Sequence, residues 1–226
     1  DLQIVCWMQR HFNDDALLSN SGYRFNDLPS GSKIGTSSVR RRAQILRLRK
    51  DLSVSLLRGN IDTRIKQLHA KKYDAIILSL AGLQRLNLEN LVTEVLNQND
   101  FLPAACQGVV WVQAHKKNNY GDLFSKLNHI KTQTECLAER NVLRVINANC
   151  NSPISVVSKI TNKEIEIKVQ LLNHFGESIF SKIYTDLKNN HLQLSEIIGN
   201  EIISEVGNTT IEKLNNLEND FDYTPT

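Results

Sequence analysis

The chain has 226 residues, 41% of them hydrophobic and 23% charged, with a formal net charge of +3. That is enough for two domains with real cores, and it holds no run of about twenty apolar residues of the kind a transmembrane helix needs. No secretory signal is visible, and the four cysteines at 6, 106, 136 and 150 show no paired C-x-x-C spacing, so a metal site is not expected and a reducing, cytoplasmic setting is.

Three apolar runs read as β-strands in the first ninety residues: Lys33–Thr36, Val54–Leu57 and Ala75–Leu78. Between them Val39, Ala43 and Leu46, then Ile61, Ile65 and Leu68, recur at helical spacing. A β-α-β-α-β order predicts a parallel sheet, whose strand-to-helix turns share one edge where ligands bind. Arginines follow all three runs: Arg40 and Arg41, Arg58 and Arg64, and Arg85. They are expected to converge on a cleft for a polyanion. Ser37 and Ser38 are good N-cap residues, which puts Arg40 and Arg41 in the first helical turn, where cations oppose the helix dipole unless an anion sits over the free N–H groups. The competing reading is a solvated basic helix face made of Arg40, Arg41, Arg42, Arg47, Arg49 and Lys50.

Further along, Pro103 marks a crossing between elements. A helix with Glu139, Arg140 and Arg144 then leads into a polar loop, Asn147 to Pro153, that carries Cys150. Strict polar/apolar alternation over Glu164–Leu171 predicts a strand with one buried face, His174–Glu177 a turn, and Ser178–Thr185 a second strand. Leu194, Ile198, Ile202 and Val206 step by four and predict an amphipathic covering helix. The six histidines are scattered and read as structural or solvated; the end from Glu201 to Asp222 is acidic, and the asparagine-rich tail after Asn208 is expected to fray.

Five blocks resemble, in order and spacing, those of the porphobilinogen deaminase (hydroxymethylbilane synthase) family: Lys33–Gln44, Leu57–Arg64, Tyr73–Leu86, Leu102–Gly108 and Ala138–Ile154. The resemblance implies an α/β domain of the type II periplasmic-binding-protein kind plus a small C-terminal α+β domain, with the first domain largely missing. The boundaries it suggests are 1–12 as remnant and hinge of that domain, 13–102 as the α/β domain, 103–128 as a segment returning to the first domain through a strand at Val109–Val112 that would leave Trp111 exposed, and 129–226 as the C-terminal domain. The activity implied is head-to-tail joining of four porphobilinogen units with loss of ammonia, on the route to haem. Cys150 falls on the cysteine that holds a dipyrromethane cofactor through a thioether. Thr36, Ser37, Ser38, Arg40, Arg41, Arg58 and Gly82 fall on cofactor-binding positions, and Arg10, Arg64 and Arg85 on substrate-binding ones.

The family's catalytic aspartate motif has no counterpart here, so no catalytic residue and no metal ligand is assigned, and a monomer lacking an N-terminal segment is expected. Asp14 stands where the family has arginine, and Cys106 replaces a glycine at a position that calls for positive φ. Two other readings stay open. One is an anion-binding remnant without catalysis. The other is nucleic-acid binding through Arg40–Lys72, disfavoured because only Tyr73 is near for base stacking.

Overall fold

A computed structural model describes residues 1–117 and 121–216, leaving out the side chains of 121 and 122. In chain order the elements are β1 (Leu2–Trp7), β2 (Asp15–Ser19), β3 (Lys33–Thr36), α1 (Val39–Leu48), β4 (Ser53–Leu56), α2 (Ile61–His69), β5 (Ala75–Ser79), α3 (Leu80–Arg85) and β6 (Glu94–Val95). There follow β7 (Trp111–His115), α4 (Gly121–Ser125), α5 (Ile130–Val145), β8 (Ile154–Thr161), β9 (Glu164–Leu172), β10 (Ser178–Leu187), α6 (His191–Val206) and α7 (Asn208–Asn216).

The first domain-sized unit is a five-stranded sheet in the order β4-β3-β5-β2-β6. β3 runs parallel to β4 and β5, as the alternation of strands and helices predicts, while β2 runs antiparallel to β5 and β6. Both faces are covered. Leu17, Ile34, Val54 and Ile77 pack with Ile45 and Leu46 of α1 on one side. Their neighbours Ala16, Leu18, Ile76 and Leu78 pack with Ile65 and Leu68 of α2 and Leu83 of α3 on the other. This is the period-two alternation of a strand, with each face given its own apolar partner. The α/β class and the helix positions agree with the expectation; α3, which follows β5 without a break, was not foreseen as a helix.

β1 and β7 form a separate antiparallel pair, with Trp7 opposite Trp111 and their rings 5.3 Å apart. The strand expected at Val109–Val112 therefore begins two residues later, and Trp111 is half-buried against Trp7.

The C-terminal unit is an antiparallel sheet, β10-β9-β8, covered by α5 and α6. Ile165, Ile167, Val169 and Leu171 point from β9 into a core shared with Val142 of α5 and Leu194, Ile198 and Ile202 of α6. β8 is an element the hydropathy pattern did not disclose. The expected fraying after Asn208 is also corrected: α7 packs Ile211 and Leu214 into this core. Residues 217–226, including the last part of the acidic stretch and tail, lie outside the described residues. At the β9–β10 turn Gly176 has φ 85° and sits against the backbone of α1, so a Cβ there would lie 2.7 Å from the Ala43 oxygen.

Candidate active site

The turn from β3 into α1 builds one wall of the site. The Thr36 hydroxyl is buried and accepts from the Ser38 N–H at 3.2 Å, and the Ser38 hydroxyl caps α1 by accepting from the Arg41 N–H at 3.3 Å. Ser37 remains exposed. The solvated-face reading fails here, because Arg40, Arg41 and Arg42 are all buried.

The reason is Asp15 on β2. Arg40 Nη2 donates to its Oδ2 at 2.7 Å; Arg41 donates to Oδ1 from Nε at 3.0 Å and from Nη2 at 2.7 Å. Gln107 Nε2 adds a further bond to Oδ1 at 2.9 Å. Burial by itself would raise the Asp15 pKa, but Arg40 and Arg41 hold it below the ordinary carboxylate range. Burial also pulls Arg40 below its usual value, with Asp15 opposing and Arg41 reinforcing the shift. Two guanidinium groups share one carboxylate, so the cluster carries one excess positive charge. Arg40 Nε, moreover, is buried without a partner.

That wall faces a cavity of about 600 Å³, lined by Ser38, Arg40, Ala104, Cys106, Trp111, Arg140, Arg144, Asn149, Cys150 and Ser152, among others. Cys150 is exposed in the expected loop. Asn149 Oδ1 accepts from the Asn151 N–H, and the Ser152 hydroxyl accepts from the Asn149 N–H, both at 2.8 Å. Buried Asn215 of α7 bonds Ser152 through its Oδ1 and the Asn147 carbonyl through its Nδ2. The tail helix thus fixes the cysteine loop, a role that sequence pattern did not indicate. Arg140 stacks over the Trp111 ring at 5.5 Å. Arg140 and Arg144 are four apart on α5 and so share the face that lines the cavity; that spacing was a legible signal, and they were not assigned to the site. Among the described residues, no Asp or Glu lines this cavity.

The other expected site residues are distributed more widely. Arg58 is exposed after β4. Arg64 is half-buried, donates to the Gly59 carbonyl at 2.7 Å, and is lowered in pKa by burial and by the like charge of Arg41. Gly82 on α3 faces Ile61, leaving 3.1 Å for any added Cβ. Arg85 donates to the Gly108 carbonyl at 2.6 Å and borders a second cavity of about 310 Å³ with His11 and Phe12. Arg10 differs most from its expected substrate role. It bonds Glu139 at 2.9 Å, Glu135 at 3.0 Å and the Ser158 carbonyl at 3.1 Å, all within the joint between β1, α5 and β8. Asp14 is engaged by Gln98 Nε2 at 2.6 Å, and Cys106 does adopt the positive φ, 57°, that its position calls for.

An exposed thiol and several arginines thus line one cavity between an α/β unit and a small α+β unit, which is the arrangement of a protein that binds an anionic ligand beside a cysteine. Two family models match the chain: porphobilinogen deaminase, dipyromethane cofactor binding domain, over residues 1–121, and porphobilinogen deaminase, C-terminal domain, over residues 133–212. The porphobilinogen deaminase of Clostridium kluyveri is 33% identical over 202 residues, 89% of this chain and 69% of that protein. That of Clostridium acetobutylicum is 40% identical over 153 residues, 68% of this chain and 53% of that protein, and that of Orientia tsutsugamushi is 40% identical over 173 residues, 75% and 58%. The chain belongs to the porphobilinogen deaminase family, and it spans between about half and two thirds of the length of these relatives. The family's cofactor is dipyrromethane, and the lining suits such a group: an exposed thiol with Arg40, Arg140 and Arg144 around the same cavity.

Proposed function

We propose that this chain carries dipyrromethane on Cys150 and takes part in polymerising porphobilinogen to hydroxymethylbilane. The observation that carries the reading is the exposed Cys150 sulfur on a cavity that also holds Arg40, with its orphaned Nε and its cluster's excess positive charge. Attachment forms a bond from Cys150 Sγ to the methylene carbon of an aminomethylpyrrole as its C–N bond breaks; the thiol proton leaves with ammonia. When bound, the dipyrromethane supplies the pyrrole end to which further units are joined. Arg40, Arg140 and Arg144 bind its carboxylates, charge-assisted contacts of roughly 1.5–3 kcal/mol each when formed out of water. Thr36 and Ser38 hold the turn that presents them, with Ser37 as a free hydroxyl at its tip.

Arg41 supports Arg40 through Asp15, and Gly82 allows α3 to lie close to Ile61. Arg58, Arg64 and Arg85 receive the carboxylates of incoming and lengthening pyrrole chains around the sheet edge. Arg10 we assign to holding the domain joint. The carboxylate needed beside the charged pyrrole comes from residues other than those lining this cavity. We place the protein in the cytoplasm as a monomer; its four cysteines are all free, which fits a reducing compartment, and no described helix is long and apolar enough to cross a membrane.

The test is intact mass and peptide mapping after incubation with porphobilinogen. Addition of two pyrrole units on the Cys150 peptide, absent in Cys150→Ser, is expected. Loading that persists in Cys150→Ser would refute the anchor. Loading without release of tetrapyrrole would favour an anion-binding remnant, the reading suggested by the lack of a lining carboxylate.

A further inference from the structure

A thiol pair meets at the wall of this cavity, Cys106 lining it and Cys136 buried behind, and the proposed anchoring on Cys150 does not use it. Cys106 occupies the turn after Pro103, and its backbone N–H donates to Glu139 Oε2 at 2.6 Å while its sulfur approaches the Cys136 carbonyl at 3.6 Å. Cys136 is fully buried on α5, three residues before Glu139. The two sulfurs and a Glu139 carboxylate oxygen all lie within 4.8 Å of one another. Such a trio resembles a cation site, but Glu139 is already spent. Its Oε1 accepts from Arg10 Nη1 and from the N–H and hydroxyl of Ser158, and its Oε2 from Arg10 and Cys106. A carboxylate so filled, with a guanidinium against it, offers a metal no free lone pair. The two sulfurs make only weak contacts and are free to react with each other.

We propose that Cys106 and Cys136 are a redox-active dithiol whose disulfide ties the segment between the two domains to α5. Access sets the order of events. Cys106 borders the cavity, whereas Cys136 is closed off. A low-molecular-weight disulfide entering the cavity therefore reaches Cys106 before Cys136. The Cys106 sulfur attacks one of its sulfurs, the external S–S bond breaks, and one thiol departs. Cys136 Sγ then attacks the Cys106 sulfur, breaking the mixed disulfide and releasing the second thiol. The two protein protons end on the two released thiols, and the two electrons have reduced the external disulfide. The product bond of about 2.05 Å requires the two sulfurs, which now lie within 4.8 Å, to close the remaining gap.

The groups facing the pair set its rate. Hydrogen bonding to Cys136, burial and the charge of Glu139 push the Cys106 thiol well above its ordinary value, against a smaller opposing pull from Arg140. Glu135 and Arg10 complete the charged surroundings. Exchange proceeds through the thiolate, so it is slow at neutral pH and accelerates as pH rises.

The experiment incubates the full reduced chain with oxidised glutathione at neutral and alkaline pH and reads intact mass and non-reducing peptide maps. The expected result is a Cys106–Cys136 cross-link in the peptide map, formed faster at alkaline pH and read as a loss of two hydrogens in Cys150→Ser, where the exposed thiol that would itself take up glutathione is absent. In Cys136→Ala a glutathione adduct accumulates on Cys106; in Cys106→Ser no cross-link forms, which keeps the test decisive if the buried Cys136→Ala variant misfolds. A Cys106–Cys150 link, or a glutathione adduct on Cys106 of the unaltered chain that never resolves, overturns the proposal.

Discussion

Asp15→Asn tests the charge arrangement at the heart of the site. The carboxylate is fully buried and accepts four hydrogen bonds, three of them from Arg40 and Arg41. Asparagine keeps the volume and one carbonyl oxygen but removes the only counter-charge of the cluster, and it turns an NH2 group toward donors. Removing one partner of a buried ion pair typically costs about 3–5 kcal/mol, because the other is left uncompensated. Against a total stability of about 5–15 kcal/mol, that is roughly a fifth or more. The assay is urea unfolding followed by circular dichroism, with parent and variant compared at fixed pH. The pH dependence gives a second check. The folded pKa of Asp15 lies below the ordinary value, so its contribution is full above about pH 4 and fades as pH falls through the folded value. The gap between parent and variant should therefore be constant near neutrality and close in acid. A variant within about 1 kcal/mol of the parent at neutral pH, a margin typical of exposed pairs, would mean that the two arginines do not depend on Asp15.

Arg10→Met should destabilise by a similar 3–5 kcal/mol, roughly, through the abandoned Glu135 and Glu139. Burial already raises the Glu139 pKa, so the deficit, read by thermal melts, should be largest at neutral pH and shrink as acid protonates Glu139; a deficit that grows in acid would sink the idea. His174 is buried, its Nε2 3.3 Å from the Leu214 carbonyl, and burial lowers its pKa. A depressed histidine contributes stability above its unfolded value of about 6.5 that is lost as pH falls, so His174→Gln should flatten the melting-temperature profile between about pH 7 and 5.5, and an unchanged slope would refute the assignment. Gly176→Ala should cost at least roughly 1–2 kcal/mol from left-handed backbone strain and more from collision with α1; an unshifted melting temperature would show that the hairpin does not rest on that helix.

Elements whose partners are local were legible. α2 and β9 each bury a face at their own period, β3 and α1 show apolar residues at the spacing of their type although burial reaches well beyond one face, and the Ser38 cap was readable from one residue type before a helical run. Elements whose polar side chains find distant partners were not. β8 holds Ser155 and Ser158 inside the fold because their hydroxyls reach Leu102 and Glu139, so buried strand positions look polar in sequence. α7 shows only two apolar residues, and Asn215 is buried for the sake of a loop more than sixty residues away. For the same reason the burial of Arg40 and Arg41 had no local signal: the carboxylate that permits it lies 25 and 26 residues earlier.

Residues 102–107 hold these distant partners in one frame. The Leu102 carbonyl accepts from Arg40, Gln44 and Ser155, Gln107 bonds both Arg40 and Asp15, and the Cys106 N–H reaches Glu139. This short segment is thus bonded to a buried cluster of excess positive charge on one side, Arg40 and Arg41 with Asp15, and to one of excess negative charge on the other, Glu135 and Glu139 with Arg10. Any rotation of the α/β unit against the C-terminal unit must stretch bonds to buried charges at one end or the other, which is costly. The separation of Arg40 from Cys150 is therefore set by backbone that neither residue belongs to. An anion entering the cavity neutralises only the positive cluster, so ligand binding should slow hydrogen exchange in β2 and α1 more than in α5. Equal protection of both would mean that the two clusters respond as one unit, and that the segment transmits charge neutralisation instead of merely fixing distance.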